Sequence, residues 1–454
     1  MGCALLVGCA VGPDYHRPTV TAPESWRTQP AETNSLAGLA WWNYYHDPVL
    51  TNLITIALTN NLDLRIAVAR IAEAAGNYQS QRSYLLPTVN GSGDYTRGAV
   101  GNAPPFNEYA LLGSLSYEVD VWGRIRRLTE AAQAQYLAAE STRNTVQISL
   151  IASVPSTYFN LRGLDRQLEI ARDTYNSSTN VLALTKIKYN EQADGHGYGI
   201  VSEMDVRQAE TQVYNASSTI ASVEQAIALA ENSLRYLLGL NPGPIPRGQP
   251  LTGQWQPDAI PAGLPSDLLL RRPDIQAAEE LLIAANANIG AARAAYFPTI
   301  SLTALLGVQS VQLNDLFSLG TSRIWSFSPQ ITAPIFNAGR ISAGVAIAKA
   351  QKDEAVASYQ QAIQNAFQEV DNALASITDL RAQLVADEGY VHAEQRLFEL
   401  SELRYNEGIS SYFDLLDAQR YLFSAQLNAV QTRANLLVAV TQLYQALGGG
   451  WTNQ

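Results

Sequence analysis

Two cysteines and four histidines are the side chains of this 454-residue chain best suited to nucleophilic or metal chemistry, and their placement excludes most of it. Cys3 and Cys9 both fall in the first ten residues, so the body can form neither a disulfide framework nor a thiolate metal site. His16, His46, His196 and His392 show no i,i+4 pairing and no clustering, so no metal set is expected. Met1 and Met204 are the only methionines, which leaves no thioether relay for soft metals. One thiol chemistry stays open. Leu6-Val7-Gly8-Cys9 ends a short apolar run with small residues before a cysteine, the form of a bacterial lipobox, whose cysteine is acylated and becomes the first residue of the processed chain. The run is short and lacks a basic leader, so a complete signal is expected to begin upstream of Met1. Ala10, and not an aspartate, follows the cysteine, which favours outer-membrane sorting. Several acyl chains on Cys9 would anchor firmly where one would be marginal. Among the acids, Asp414 and Asp417 stand three apart at the start of a helical pattern. As a bare pattern, two carboxylates in a first turn are partners of the helix dipole. No catalytic constellation and no cofactor is expected beyond a covalent lipid on Cys9.

The composition narrows the partners. A net charge of −11 supplies no field that attracts phosphates, so a nucleic-acid partner is excluded. The densest basic cluster, Arg124, Arg126 and Arg127, opens a helix and reads as an exposed turn. Hydrophobic content of 47% supports a core, whereas 16% charged residues is low for a soluble protein of this size. No run of 18 or more apolar residues appears, so any membrane crossing must use strands.

Four segments have the period of two that strands require. After Pro298, the residues Ile300, Leu302, Ala304, Leu306 and Val308 oppose Ser301, Thr303 and Gln309. From Ile324, the residues Trp325, Phe327 and Ile331 oppose Ser326, Ser328, Gln330 and Thr332. Tyr109, Leu111, Leu115, Tyr117 and Val119 oppose Ser114, Ser116, Glu118 and Asp120. The stretch after Pro87 is weaker, with Val89 and Tyr95 against Asn90, Ser92, Asp94 and Thr96. These patterns predict strands over 87–97, 108–120, 298–310 and 323–335, with Pro329 as an irregularity. Tyr95, Tyr109, Tyr117, Trp122, Trp325 and Phe336 would suit interfacial girdles. Four strands cannot close on themselves in hydrocarbon, so closure needs several copies; three give twelve strands and room for a lumen.

The remaining elements are helices too long for a globule. From Arg124 to about Tyr189 some 65 residues would reach on the order of 100 Å, with Pro155 and Gly163 expected to interrupt and bend the run. In the second long helix, about Arg340 to Tyr405, Val356, Tyr359, Ile363, Phe367, Val370, Leu374, Ile377 and Leu384 advance by threes and fours, which is coiled-coil spacing. Return helices follow over roughly Ser202–Leu238 and Ser411–Leu447. A Pro- and Gly-rich linker, Asn241–Pro273, is expected to pack around the waist of the helical part.

The chain is also written twice. Tyr84-Leu85-Leu86-Pro87-Thr88 returns as Tyr296-Phe297-Pro298-Thr299, Gly123-Arg124 as Gly339-Arg340, Tyr189-Asn190-Glu191 as Tyr405-Asn406-Glu407, Asp205 as Asp414, and Leu238-Gly239 as Leu447-Gly448. The spacing drops from 216 residues to 209 across the first helix tip, marking about seven extra residues at Gln192–Tyr198. The expected organisation is a signal over 1–9, an extended segment over 10–48, a first repeat over 49–240, a linker over 241–273 and a second repeat over 274–454.

With these residues in view, the chain resembles the TolC-like outer membrane efflux ducts, in particular their NodT-type lipoprotein branch. The resemblance spans nearly the whole chain. It is carried by Gly12-Pro13-Asp14-Tyr15-His16-Arg17-Pro18, by Trp41-Trp42 with Asp47-Pro48, by the run from Pro261 through Leu268-Leu269-Leu270-Arg271-Arg272-Pro273-Asp274-Ile275, and by Pro334-Ile335-Phe336-Asn337-Ala338-Gly339-Arg340. It implies a mainly α protein with a membrane β-barrel: a homotrimer whose twelve-stranded barrel, four strands per chain, continues into a long α-helical coiled-coil barrel with an internal two-fold repeat. The implied function is a passive exit duct for drugs or toxic compounds, docked on a periplasmic adaptor and an inner-membrane resistance-nodulation-division pump, with no enzymatic activity. Phe413-Asp414-Leu415-Leu416-Asp417-Ala418 matches the family's periplasmic gate, so Asp414 and Asp417 are expected to form its acidic ring, where three copies would hold cations and resist anions. The resemblance further implies a latch tie between Tyr405 and Asp205. The arginine that adjoins this latch in the family is Ser410 here, and the extra residues at Gln192–Tyr198 bear on partner choice. A duct for type I protein secretion, a lipid-anchored coiled-coil spacer without a pore, and a tethered enzyme are the other readings open to the sequence.

Overall fold

A computed structural model describes residues 10–27, 35, 38, 40–101, 103–194, 201–254 and 261–450. Cys9 and the signal over 1–9 lie outside the described residues, as do His196 and most of the Gln192–Tyr198 stretch. The elements are α1 (Trp41–Tyr44), α2 (Pro48–Asn60), α3 (Leu62–Ser83), β1 (Thr88–Gly98), β2 (Phe106–Val119), α4 (Arg124–Ala193) and α5 (Glu203–Leu237). There follow α6 (Leu268–Arg271), α7 (Pro273–Ala294), β3 (Thr299–Ser310), β4 (Arg323–Thr332), α8 (Arg340–Asn406) and α9 (Tyr412–Ala446). The chain forms two compact units. One holds residues up to Thr21, Ala67–Arg143 and Pro273–Ile363; the other holds Ala22–Ile66, Asn144–Arg272 and the residues from Gln364 onward.

In the first unit the strands form one antiparallel sheet in the order β1-β2-β3-β4. The register sorts the alternating residues onto two faces. Val89 pairs with Leu115, Tyr95 with Tyr109, Leu111 with Val308, Tyr117 with Leu302, Leu306 with Trp325 and Ala304 with Phe327. The opposite face carries Asn90 against Ser114, Ser116 against Thr303 and Thr303 against Ser328. A shift of one residue in any pair would mix the two rows, so the pattern specifies the register. Tyr95 and Tyr109 stack across the strands at 4.9 Å. Pro329 lies opposite Leu302 on β4, an edge strand, where a missing N–H can be tolerated. β4 stops at Thr332, short of the expected 335, because the chain turns out of the sheet before Pro334. Trp122 is not a free girdle residue. Its ring stacks on Phe297 at 4.6 Å and its Nε1 donates to the Pro298 carbonyl at 2.7 Å, bracing the junction of β2 with α4.

The N-terminal segment is strapped to the same unit. Val11 N donates to Trp122 O at 3.0 Å, Asn286 Nδ2 to Pro13 O at 3.0 Å, and Arg127 to Asp14 Oδ1 at 2.8 Å. Tyr15 donates to Glu279 Oε1 at 3.0 Å, and Arg17 grips the same carboxylate with both arms. A Cβ on Gly290 would come within 2.8 Å of the Val11 carbonyl, so α7 accepts the strap only at a glycine.

In the second unit α2 starts at Asp47, whose Oδ1 accepts from Val49 N at 2.9 Å and from Leu50 N at 3.4 Å, with Pro48 preset at the first helical position. Leu50, Leu53, Ile54 and Ala57 form its buried stripe at i, i+3, i+4 and i+7. The other oxygen of Asp47 accepts from the Tyr158 hydroxyl at 3.1 Å, Gln249 N at 3.0 Å and Gln254 Nε2 at 2.9 Å. Burial pushes the Tyr158 hydroxyl up to about 12, with the Gly248 N–H opposing and the Asp47 charge assisting. The linker thus packs on α4 and α5. Arg247 adds ion pairs to Asp165 and Glu231, and Arg235 donates to the carbonyls of Gly243 and Pro244.

Two expectations about α4 are corrected: neither Pro155 nor Gly163 interrupts it. Pro155 is buried on a stretch of the helix where Ile151, Val154 and Tyr158 are buried too, and burial there offsets the one hydrogen bond that proline removes. Gly163 is a site of close approach, since a Cβ there would meet Ala434 Cβ of α9 at 3.1 Å. Arg272, buried, donates to Glu369 at 2.6 Å and to Ala446 O at 3.0 Å, which ties the turn before α7 to the end of α9.

Candidate gate site at the ends of the long helices

The turn from α8 to α9 and the start of α5 are built by the same short motif, Ser-x-x-Asp. In the first repeat Ser202 caps α5: Asp205 N donates to Ser202 Oγ at 3.3 Å, while Asp205 Oδ2 accepts from Ser202 N at 2.7 Å and from Ser202 Oγ at 2.9 Å. In the second repeat Ser411 Oγ donates to Asp414 Oδ2 at 3.1 Å, the side-chain half of the same arrangement. Ser411 makes no cap bond to the α9 backbone; the sequence reading missed the Ser202 cap, although serine three residues before an acid is its ordinary signal. α8 ends at Asn406, and Gly408 just beyond it, with a φ of +70°, lets Ile409 N reach back to Arg404 O at 2.8 Å.

From that start α9 sorts its residues. Tyr412, Leu415 and Leu416 are buried, Asp414 is exposed and Asp417 is half-buried. Asp417 makes no hydrogen bond or ion pair among the described residues. The buried three pack with Ala209 of α5 and Tyr405 of α8, and with Val181 and Leu182 of α4 and Phe398 of α8. The cluster therefore joins the ends of all four helices.

Tyr405 sits at its centre, 5% exposed. The Tyr412 ring meets it edge-on at 5.7 Å, and Lys188 Nζ lies 4.4 Å from its centroid. Its hydroxyl is buried without a hydrogen-bond partner of ordinary geometry; the Thr185 hydroxyl donates to Val181 O at 2.8 Å, which leaves its oxygen able to accept. Burial raises the Tyr405 hydroxyl pKa, and the nearby Asp205 charge raises it further, while Thr185 opposes. Burial also raises Tyr412, with Tyr405 and then Asp205 adding to it. Asp205 is thus near both rings, yet no hydrogen bond joins it to Tyr405 within the protomer. Ser410 has its hydroxyl buried and unpartnered. Outside the cluster Lys186 pairs with Glu210 at 3.0 Å and Arg207 with Glu210 at 2.8 Å. Lys188 was missed by the sequence reading, because nothing local marks a lysine that meets a ring 217 positions away. Two of the extra residues after Glu191, Gln192 and Ala193, lie within α4.

Among the described residues no group of histidines, cysteines and acids could hold a metal ion, and no helix is long and apolar enough to cross a membrane.

The chain matches the family model for outer membrane efflux proteins over residues 53–240 and 264–449, and it belongs to that family. It is 41% identical over 465 residues to the probable efflux pump outer membrane protein TtgC of Pseudomonas putida, covering 99% of this chain and 94% of that one. It is 36% identical over 455 residues to the cation efflux system protein CusC of Escherichia coli, covering 98% and 96%. The open-state crystal structure of the MtrE outer membrane channel of Neisseria gonorrhoeae superposes with a TM-score of 0.89 at 35% identity, covering 98% of this chain and 99% of that one. The chain is an outer membrane efflux protein, an exit duct.

Proposed function

We propose that three copies of the chain close edge to edge, β4 of one on β1 of the next, into a twelve-stranded barrel in the outer membrane, and that their helices line a periplasmic conduit continuous with it. The duct is passive and catalyses no reaction. It receives small molecules from an inner-membrane resistance-nodulation-division pump through a periplasmic adaptor. The observation that carries this reading is the sheet. One continuous apolar face is uncovered in the protomer, with Val89, Leu306, Trp325, Phe327 and Ile331 all at least 60% exposed, and two edges are unpaired. Such a face belongs in hydrocarbon, and such edges cannot remain open there.

A lipid on Cys9 fits the same geometry. Ala10 packs against Gly123, just past the end of β2, which supports a membrane anchor on the segment before it. At the gate, three copies would gather Asp414 and Asp417 near one axis. Like charges there admit cations, restrict anions and repel one another, so their removal widens and neutralises the opening. Planar-bilayer recording of purified trimers tests this. The wild type gives a small conductance, and D414A/D417A gives a larger one with weaker cation preference. Equal conductance and selectivity in the two would remove the gate from these residues.

A further inference from the structure

We infer that the two repeats of each protomer are latched by Lys188 seated on the face of the Tyr405 ring, and not by a hydrogen bond from the Tyr405 hydroxyl; this rests on the gated-duct reading above. Four observations converge on it. The carboxylate of Asp205 is occupied by its own helix start, accepting from Ser202 N and Oγ at 2.7 and 2.9 Å. The Tyr405 hydroxyl is buried and makes no hydrogen bond of ordinary geometry to Asp205 or to any other group; Thr185 is the hydroxyl side chain that lowers its pKa. Ser410 is too short to act as an arginine, and its own hydroxyl is also buried without a partner. Lys188 Nζ, by contrast, stands 4.4 Å from the ring centroid, within the range of cation–π attraction.

The surroundings strengthen that contact. Tyr412, Leu415, Leu416 and Ala209 pack around the ring and keep water from it, and desolvation raises the value of a cation over a ring. The acids of the α5 start are already matched, because Asp205 accepts from Ser202 and Glu210 is held by Lys186 and Arg207. Lys188 itself has no ion pair among the described residues. The clasp joins α4 of the first repeat to α8 of the second, whose ends must separate if the gate widens. It is a positioning contact, and it needs the ring of Tyr405 but not its oxygen.

The test compares K188Q, K188R, Y405F and D205N trimers in planar bilayers, with D414A/D417A as the control for the duct itself. K188Q is expected to raise the open fraction roughly two- to fivefold per protomer, K188R to restore it, and Y405F and D205N to stay at the wild-type level. Opening by Y405F or D205N as large as that by K188Q, or a silent K188Q beside a conducting control, overturns the clasp. Failure of every trimer to conduct, control included, overturns the duct reading instead. In that case a thermal-unfolding cycle between K188Q and Y405L still decides the clasp: non-additive losses support it, and additive losses overturn it.

Discussion

A single carboxylate shows how little of a residue's role its neighbours in sequence disclose. Asp47-Pro48 is legible as a helix start, since aspartate before proline is a common cap. Its second task is not legible, because the groups it serves, Tyr158, Gln249 and Gln254, lie 111 to 207 positions away. Asp47 is 1% exposed and accepts from five donors. Replacing it by alanine strands those donors in a space that water does not reach, and breaking such a buried network costs about 3–5 kcal/mol. D47A should therefore lower the thermal unfolding midpoint, measured by circular dichroism in a fixed detergent. D47N should keep the cap to α2 and recover only part of the loss, because its amide turns a donor toward other donors. Equal midpoints for D47A and the wild type would show that the linker does not depend on this residue. Gly163 carries the same lesson in reverse. Read locally it is a helix breaker, and only the approach of Ala434 shows it to be a packing site.

At the scale of elements the sequence was most readable where one face differs from the other. Strand positions followed from alternation, and β1 and β3 lie within a residue or so of the patterns that announced them. Strand pairing was not readable, because register joins Leu111 to Val308 across a long helical excursion. The helix-end cluster was readable only in part. Asp414 and Asp417 stood out, and the resemblance pointed to Tyr405 and Asp205, but Lys188 and Tyr412, which meet the Tyr405 ring, did not. That cluster has a pH signature. Tyr405 and Tyr412 are buried, and both have pKa values raised above the ordinary tyrosine value. Groups raised in the folded state add stability that is complete below their unfolded value, near 10, and is lost as pH rises through the folded value. The charges facing these rings are Lys188 from α4 and Asp205 from α5. Conductance of the duct should therefore hold steady through neutral pH and rise once pH exceeds about 10. Y405F/Y412F should remove the rise. A rise at the same pH in that variant would place the titrating group outside the two tyrosines.

At the scale of the whole molecule, the repeat, the strand count and the resemblance could be read from the sequence, but the two compact units could not, since each combines segments from both repeats. The larger consequence is that a protomer is an incomplete object: its sheet has two free edges and an apolar face with nothing against it. Closure by three copies makes a directional prediction about neighbouring residues of one strand. Phe327 pairs with Ala304 on the apolar face, and Ser328 pairs with Thr303 on the polar face. An arginine on the lipid face near the middle of a membrane costs about 2–4 kcal/mol, and a trimer would bear that cost three times. A lumen arginine stays in water and costs little. F327R should therefore abolish the heat-modifiable trimer in outer-membrane fractions run on semi-native gels. S328R should assemble normally and reduce cation conductance in bilayers, because three added positive charges would line one level of the pore. The two substitutions differ by one residue, so expression, chain length and net charge are matched, and only the face differs. If both variants assembled equally well, neither face would contact hydrocarbon, and the four strands would have to be explained as a soluble sheet.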